Sequence, residues 1–427
     1  MSVKVRKIKK NPLQAIKNYV IDLFDRLSGI DKVTLVLVAF LFGIGLLMVY
    51  SITSISIYNG AENDPDNYFI KTLIMAVIGI VAMGVIIVIP YQMLKRLSLI
   101  AVFVCPVILV FTMLFAGGSE ASNVKSWFVI GSFKIQPAEF VKIGMILAIA
   151  WLVSKSIDKK MYYLNHFKDI NWSLLHQSFV FVLCYFGLCT VLVLLQPDFG
   201  SALIIGFIGL IMFLATGVKF KAYQPLFYFG IVLLIVGIVV MIKAFPYQAE
   251  RFLMWLDDPF THAKGFQNVM GYTAIALGGL TGVGIGNSTQ KYGYVLEPHN
   301  DMISTILAEE LGVWMILVIM VVYFIIAIRC FLTAVKCKDM FAALVSVGIG
   351  TIFLVQPIIN LGGASGAFPL TGVTLPFISY GGSSLVSLFL GVGVYLNVRM
   401  EMVAQQKKLR EQKKQALKTK VVAFPKV

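Results

Sequence analysis

A chain of 427 residues that is 59% hydrophobic and 13% charged does not have the composition of a soluble globular protein. Its net charge of +15 gathers at the chain ends and in short connections between apolar runs, so it is not read as nucleic-acid binding; basic segments next to spans meet anionic lipid headgroups instead. The five cysteines lie in apolar runs (Cys105, Cys184, Cys189) or on the more basic side (Cys330, Cys337), a distribution that does not fit an external disulfide framework or a metal cage.

Taken in order, residues 1–32 are a basic N-terminal segment, and within them Leu13, Ile16, Val20, Leu23, Phe24 and Leu27 recur at the spacing of an amphipathic surface helix. No cleavable signal peptide is visible. The expected fold is an all-α integral membrane protein of about ten transmembrane helices, in a membrane domain covering 33–398. The spans are read at 33–55, 69–90, 97–117, 135–154, 176–195, 201–217, 225–243, 302–328, 341–359 and 378–398. Residues 399–427 form a basic tail, with a frayed helix expected over 399–420. Of 36 Lys and Arg residues, 28 fall in one set of alternating segments and six in the other. That asymmetry puts both termini in the cytoplasm and a large loop, 244–301, outside between spans seven and eight.

The first external connection, 59–67, reads as an acidic turn. The second carries Lys125 and Trp127 and leads through Gln136 and Pro137 into Glu139 and Lys142, two ionisable groups on one helix face just inside an apolar run. Such groups either pair with each other or face a polar cavity. At Gln196-Pro197-Asp198-Phe199-Gly200 the chain must turn, and Asp198 either caps the next span or lends a carboxylate to an external cleft. The long loop holds Arg251 and then alternate glycines, Gly278 to Gly286, which permit tight turns or close approach to a ligand, before Lys291. It ends on Glu297, His299 and Asp301, ahead of the apolar run that contains Glu309. A hydroxyl-rich stretch from Phe368 to Leu385, with Ser379 and Ser383, enters the last span; irregular backbone at that depth is tolerated where it is buried in protein or lines a cavity.

Five of these stretches in this order, Trp127 to Lys142, Gln196 to Gly200, Gly286 to Lys291, Glu297 to Gly312 and Pro369 to Leu385, resemble the SEDS family (shape, elongation, division and sporulation) of bacterial cell-wall membrane proteins. The runs from Trp255 to Phe260, from Gly265 to Gln267 and from Gly286 to Lys291 are more similar to its division member than to its elongation member. The chain departs from the family pattern at Leu296, Asn300 and Met302, and at Asn123 and Val124, while the carboxylates and imidazole of the long loop remain.

The resemblance implies a peptidoglycan glycosyltransferase that polymerises lipid II at the outer face of the cytoplasmic membrane, in cell division and at the septum. Its implied partners are a class B penicillin-binding protein, divisome membrane proteins and the bilayer. By motif match Asp301 takes the place of the family's essential acid. Making a β-linked strand from an α-linked diphosphate requires inversion, so one general base suffices and the leaving group needs positive charge. Asp301 is the expected base. Lys125, Arg251 and Lys291 are the candidate cations. Glu297 and His299 are expected to orient the loop or the substrate, as are Trp127, Asp198, Ser379 and Ser383. A divalent cation, Mg or Mn, on Glu297 and Asp301 stays open. Three other readings also stay open: a lipid II flippase using Glu139, Lys142 and Glu309, a recruiting scaffold, and an elongation or sporulation paralogue.

Overall fold

A computed structural model describes residues 26–58, 68–116, 126–131, 133–158, 179–219, 246–257, 259–260, 265–295 and 298–422, and scattered positions between 23 and 24 and between 221 and 243. Among the described residues, seven helices are long and apolar enough to cross a membrane: α1 (Lys32–Tyr58), α2 (Tyr68–Val88), α3 (Tyr91–Phe115), α4 (Pro137–Asp158), α10 (Val313–Lys336), α11 (Met340–Ala364) and α12 (Gly382–Val422). Two shorter apolar helices, α5 (Phe179–Leu194) and α6 (Phe199–Leu214), account for the fifth and sixth expected spans. The seventh, 225–243, lies largely outside the described residues, as do most of the amphipathic segment 13–27 and all of the connection 59–67.

Burial separates the helices into two kinds. The apolar windows of α4, α11 and α12 are 78% buried, against 28% in α2 and α3. The first three therefore form the centre of the bundle, and α2 and α3 turn rows such as Val77, Val81 and Val85, or Phe103, Val107 and Leu114, away from it. Exposed valine and phenylalanine at helical spacing cost nothing against lipid, whereas in water they would make a large apolar patch.

The two ends of the bundle also differ. At one end Asp31, just ahead of α1, bonds Arg329 of α10 and the Tyr395 hydroxyl, and pairs with Arg399 of α12 at 3.3 Å. Nearby, Asp339 accepts from Tyr91 and Lys95 of α3. These are segments from the set that carries most of the basic residues. Ser51, Tyr68, Gln136, Asp198 and the long loop meet at the opposite end, through the contacts described below.

Two expectations, the all-helical fold and an unbroken span over 302–328, are corrected here. The fold is not wholly helical: β1 (Phe128–Ile130) and β2 (Phe133–Ile135) pair antiparallel across a turn where Gly131 has φ 61°. Two helices, α7 (Pro246–Leu256) and α8 (Phe266–Gly278), lie in the long loop. The apolar run expected to span from 302 to 328 is broken. A short helix, α9 (Ile303–Leu311), ends at Gly312, and the long helix starts only at Val313. Gly312 has φ 84°, and a Cβ there would lie 2.2 Å from the Leu280 carbonyl oxygen, so glycine permits both the turn and the close approach. The helix expected over 399–420 is continuous with the last span, since α12 runs from the bundle as far as Val422.

Candidate functional site

Asp301 closes the turn before α9 and is 7% exposed. Its backbone oxygen accepts from the Asn360 side-chain amide at 2.9 Å, and the same Nδ2 donates to the Val373 oxygen at 2.7 Å. Asn360 lies on α11, so the central bundle fixes both the peptide of Asp301 and the loop 370–373. From the other side, α7 is tied to that loop and to the chain leading into it: Arg251 Nη1 donates to the Leu370 oxygen at 3.3 Å and Trp255 Nε1 to the Gly366 oxygen at 3.0 Å.

Between them stands Gly372. Its φ of 74° favours glycine, and a Cβ placed on it would lie 3.4 Å from Arg251 Nη1 and 4.0 Å from Asp301 Oδ2. A carboxylate and a guanidinium fifty residues apart in sequence thus border one small space, which the absent side chain leaves open. Of the two described candidate cations, Arg251 and Lys291, Arg251 is the one brought beside Asp301.

His299 is held by aromatic rings. Its imidazole stacks on Tyr68 of α2 at 4.0 Å between ring centroids and meets Tyr380 edge-on at 5.6 Å, while the Tyr380 amide donates to the His299 oxygen at 2.8 Å. The serines of the last motif are spent on local structure. Ser379 Oγ accepts from the Leu375 amide at 2.7 Å, and Ser383 Oγ accepts from the Gln136 amide at 2.9 Å and donates to the Lys134 oxygen at 3.2 Å. Trp127 lies in the hairpin and is half-exposed. Asp198 caps α6, accepting from the Ser201 amide at 3.0 Å, and also takes the Gln136 amide Nε2 at 2.6 Å. Lys125 and Glu297 lie outside the described residues.

Lys291 is placed differently from the sequence expectation. It is buried, and its ammonium pairs with Glu310 Oε1 at 2.8 Å and donates to Ser51 Oγ at 2.9 Å and the Gly286 oxygen at 2.9 Å. A cation so engaged is a support for the loop rather than a charge offered to a ligand. Glu309 next door accepts from the Ser288 hydroxyl, from the Thr289 amide at 2.8 Å and from the Thr289 hydroxyl at 3.0 Å. The glycines before them bring the chain against itself: the Val283 and Gly284 amides donate to the Glu309 and Glu310 oxygens at 2.9 and 3.0 Å. The close approach expected for a ligand is made by the protein's own α9.

Glu139 and Lys142 do pair, at 2.8 Å, and both are buried. Lys142 Nζ also donates to Gln356 Oε1 at 3.1 Å, and Gln356 Nε2 donates to the Thr374 oxygen at 3.0 Å. Sequence reading passed over Asn360, Gln356 and Glu310. The first two had a visible signal, since they are amides four residues apart on one face of a largely apolar helix.

Among the described residues no three His, Cys, Asp or Glu side chains gather as metal ligands. Asp301 is the described member of the pair considered for a divalent cation, and with Arg251 beside it the site has positive charge from the protein itself.

The sequence profile of the FtsW, RodA and SpoVE cell cycle proteins matches residues 32–404. The probable peptidoglycan glycosyltransferase FtsW of Bacillus subtilis is 36% identical over 90% of this chain and 94% of its own length. Stage V sporulation protein E of the same organism is 32% identical over 86% and 96%. In fold, a chain from a peptidoglycan synthase complex that coordinates polymerization and crosslinking superposes with a TM-score of 0.68 at 24% identity, covering 87% of this chain and 98% of that one. The rod shape determining protein RodA of Thermus thermophilus superposes with a TM-score of 0.61 at 21% identity, covering 87% and 97%. On the strength of the profile and of relatives matched along nearly their whole length, this multi-pass membrane protein belongs to the FtsW, RodA and SpoVE family of cell cycle proteins.

Proposed function

We propose that this chain is a peptidoglycan glycosyltransferase that polymerises lipid II by inverting transfer, with Asp301 as general base and Arg251 as the cation facing the leaving diphosphate. The observation that carries the reading is the space beside Gly372, bordered by one carboxylate and one guanidinium. Asp301 takes the proton of the acceptor sugar's 4-hydroxyl as that oxygen bonds the donor's anomeric carbon. The bond from that carbon to the diphosphate breaks, and the diphosphate leaves with the electron pair. Neutralising it requires positive charge in a site of low dielectric, which a guanidinium supplies. A divalent cation, Mg or Mn, would be held by Asp301 with Glu297 and would add charge of the same sign.

The ten-span topology with both termini cytoplasmic, and hence an outward site, belongs to this proposal and is supported by the basic-residue asymmetry. So do a role in division at the septum and partnership with a class B penicillin-binding protein and other divisome membrane proteins. The charged groups inside the bundle favour an enzyme over a flippase: Glu139, Lys142 and Glu309 are bonded to the protein itself.

Strand formation from purified lipid II, with the cognate crosslinking partner present, tests the reading. Asp301→Asn is expected to lose ~10²–10⁴-fold in polymerisation while its thermal stability stays near wild type. Wild-type polymerisation by this variant would overturn the base assignment.

A further inference from the structure

Asp301 and Arg251 come from separate elements, and each is referred to the same four-residue loop. Arg251 reaches it through the Leu370 oxygen. Asp301 reaches it through the Asn360 amide, whose Nδ2 is shared between the Asp301 and Val373 oxygens at 2.9 and 2.7 Å. Asn360 is 3% exposed, and its Oδ1 has no hydrogen-bond partner among the described residues. That asymmetry fixes which way the amide points, because the flipped orientation would set an oxygen against two carbonyl oxygens.

We propose that Asn360 is a positioning residue for the transfer reaction: its bifurcated amide sets the Asp301 peptide against the Gly372 loop and so fixes the base relative to Arg251. The inference rests on the assignment of Asp301 as base. A base must sit within a few tenths of an ångström of its productive geometry, and a peptide held by one turn and no second tether does not. Asparagine suits the position because one side chain carries two N–H groups on a short arm. Leucine of similar shape carries none, and serine reaches one carbonyl at most.

The test uses the purified full-length protein on purified lipid II with its crosslinking partner, measuring kcat and KM separately. Asn360→Leu is expected to lower kcat by about 10–100-fold while KM changes by less than about two-fold. In the Asp301→Asn background the same substitution should lower the residual rate by less than about three-fold, because no carboxylate base remains to be misplaced. An equal loss in both backgrounds would make Asn360 a packing residue and overturn the proposal, as would an unchanged kcat in the single variant. Should the leucine variant fail to accumulate, Asn360→Ser serves in its place. It is smaller and polar, the same loss of kcat is expected, and wild-type turnover by the folded serine variant overturns the proposal. Full activity in Asp301→Asn alone removes the base assignment and this inference with it, whereas failure confined to Asn360 leaves the base assignment standing.

Discussion

The two ends of α9 carry carboxylates of the same chemistry and treat them oppositely. At its C-terminal end Glu309 and Glu310 are buried and saturated by the protein: the first takes the hydroxyls and amide of the 288–289 turn, the second the Lys291 ammonium and the Ser51 hydroxyl. At its N-terminal end it is the backbone of Asp301 that the bundle holds, while the carboxylate borders the space beside Gly372 with Arg251 across it. A helix of nine residues, entirely buried from Ile303 to Glu310, thus acts as a strut. One end is fastened so that the other can be placed. The acids at the C-terminal end are held by the protein's own donors and Asp301 is placed through its backbone, and fixed placement of the base is what the proposed reaction asks of a preorganised site.

Substitutions at the two ends should separate function from folding. The largest effect is expected at the opening. Asp301→Asn removes roughly 3–5.5 kcal/mol of barrier lowering, the equivalent of ~10²–10⁴ in rate, without moving the melting temperature. If it instead melts early, the two ends are alike and the comparison breaks. At the fastened end the loss should appear as folded protein. Lys291→Met strands Glu310 in the interior at a cost of about 3–5 kcal/mol, and adding Glu310→Gln should recover most of it. Melting of detergent-solubilised protein reads both, and a double variant no more stable than the single one would show that the pair does not act as a pair.

The Glu139–Lys142 pair is a second fastening of this kind, and it sharpens the comparison. Lys142→Ala should lose more folded protein than Glu139→Gln with Lys142→Met, because replacing both charges leaves neither stranded. Equal yields and melts with activity absent from both would move the pair from support to function. Smaller still is His299→Ala. The lost ring contacts with Tyr68 and Tyr380 are worth about 0.5–1.5 kcal/mol, and the drop in polymerisation should fall well short of that of Asp301→Asn. A loss as large would give the imidazole a direct part in the reaction.

The smallest effect is expected furthest from the site. Burial pushes the Asp31 carboxyl up, but hydrogen bonds from Arg329 and Thr34 and the Arg399 charge outweigh it, and the net result lies below the ordinary 3.8. For Asp339 the same burial is outweighed by hydrogen bonds from Tyr91 and Lys95 and by the Lys95 charge. A carboxyl held down in the folded state contributes stability above its unfolded value and loses it as pH falls through the folded one. Stability should therefore decline below about pH 4, and Asp31→Asn should flatten that decline in melts taken between pH 3 and 5. An unchanged slope would remove Asp31 from the acid response.

Much of this molecule was legible without coordinates. Run length and apolarity located the long helices, because a bilayer sets a minimum length and the backbone must satisfy itself within it. Asp301 stood out through the family motif it matches, in a loop where two acids and an imidazole crowd together at the edge of an apolar run. What stayed hidden was pairing at a distance. Nothing local to Lys291 says that its ammonium meets Glu310 and Ser51, and nothing local to the glycines says that they face α9 rather than a ligand. The break at Gly312 was likewise hidden, since a single glycine in an apolar run can be tolerated within a helix or can end one.

The sequence by itself determined the class of the protein and its long membrane helices, because these follow from composition and span length, and its motifs offered Asp301, with Lys125, Arg251 and Lys291, as candidates for a site. Only the tertiary structure decided which charges are supports and which border an opening. That choice depends on what each side chain meets from other elements of the fold, and burial changes the energy of a charge far more than any local neighbour in the sequence does.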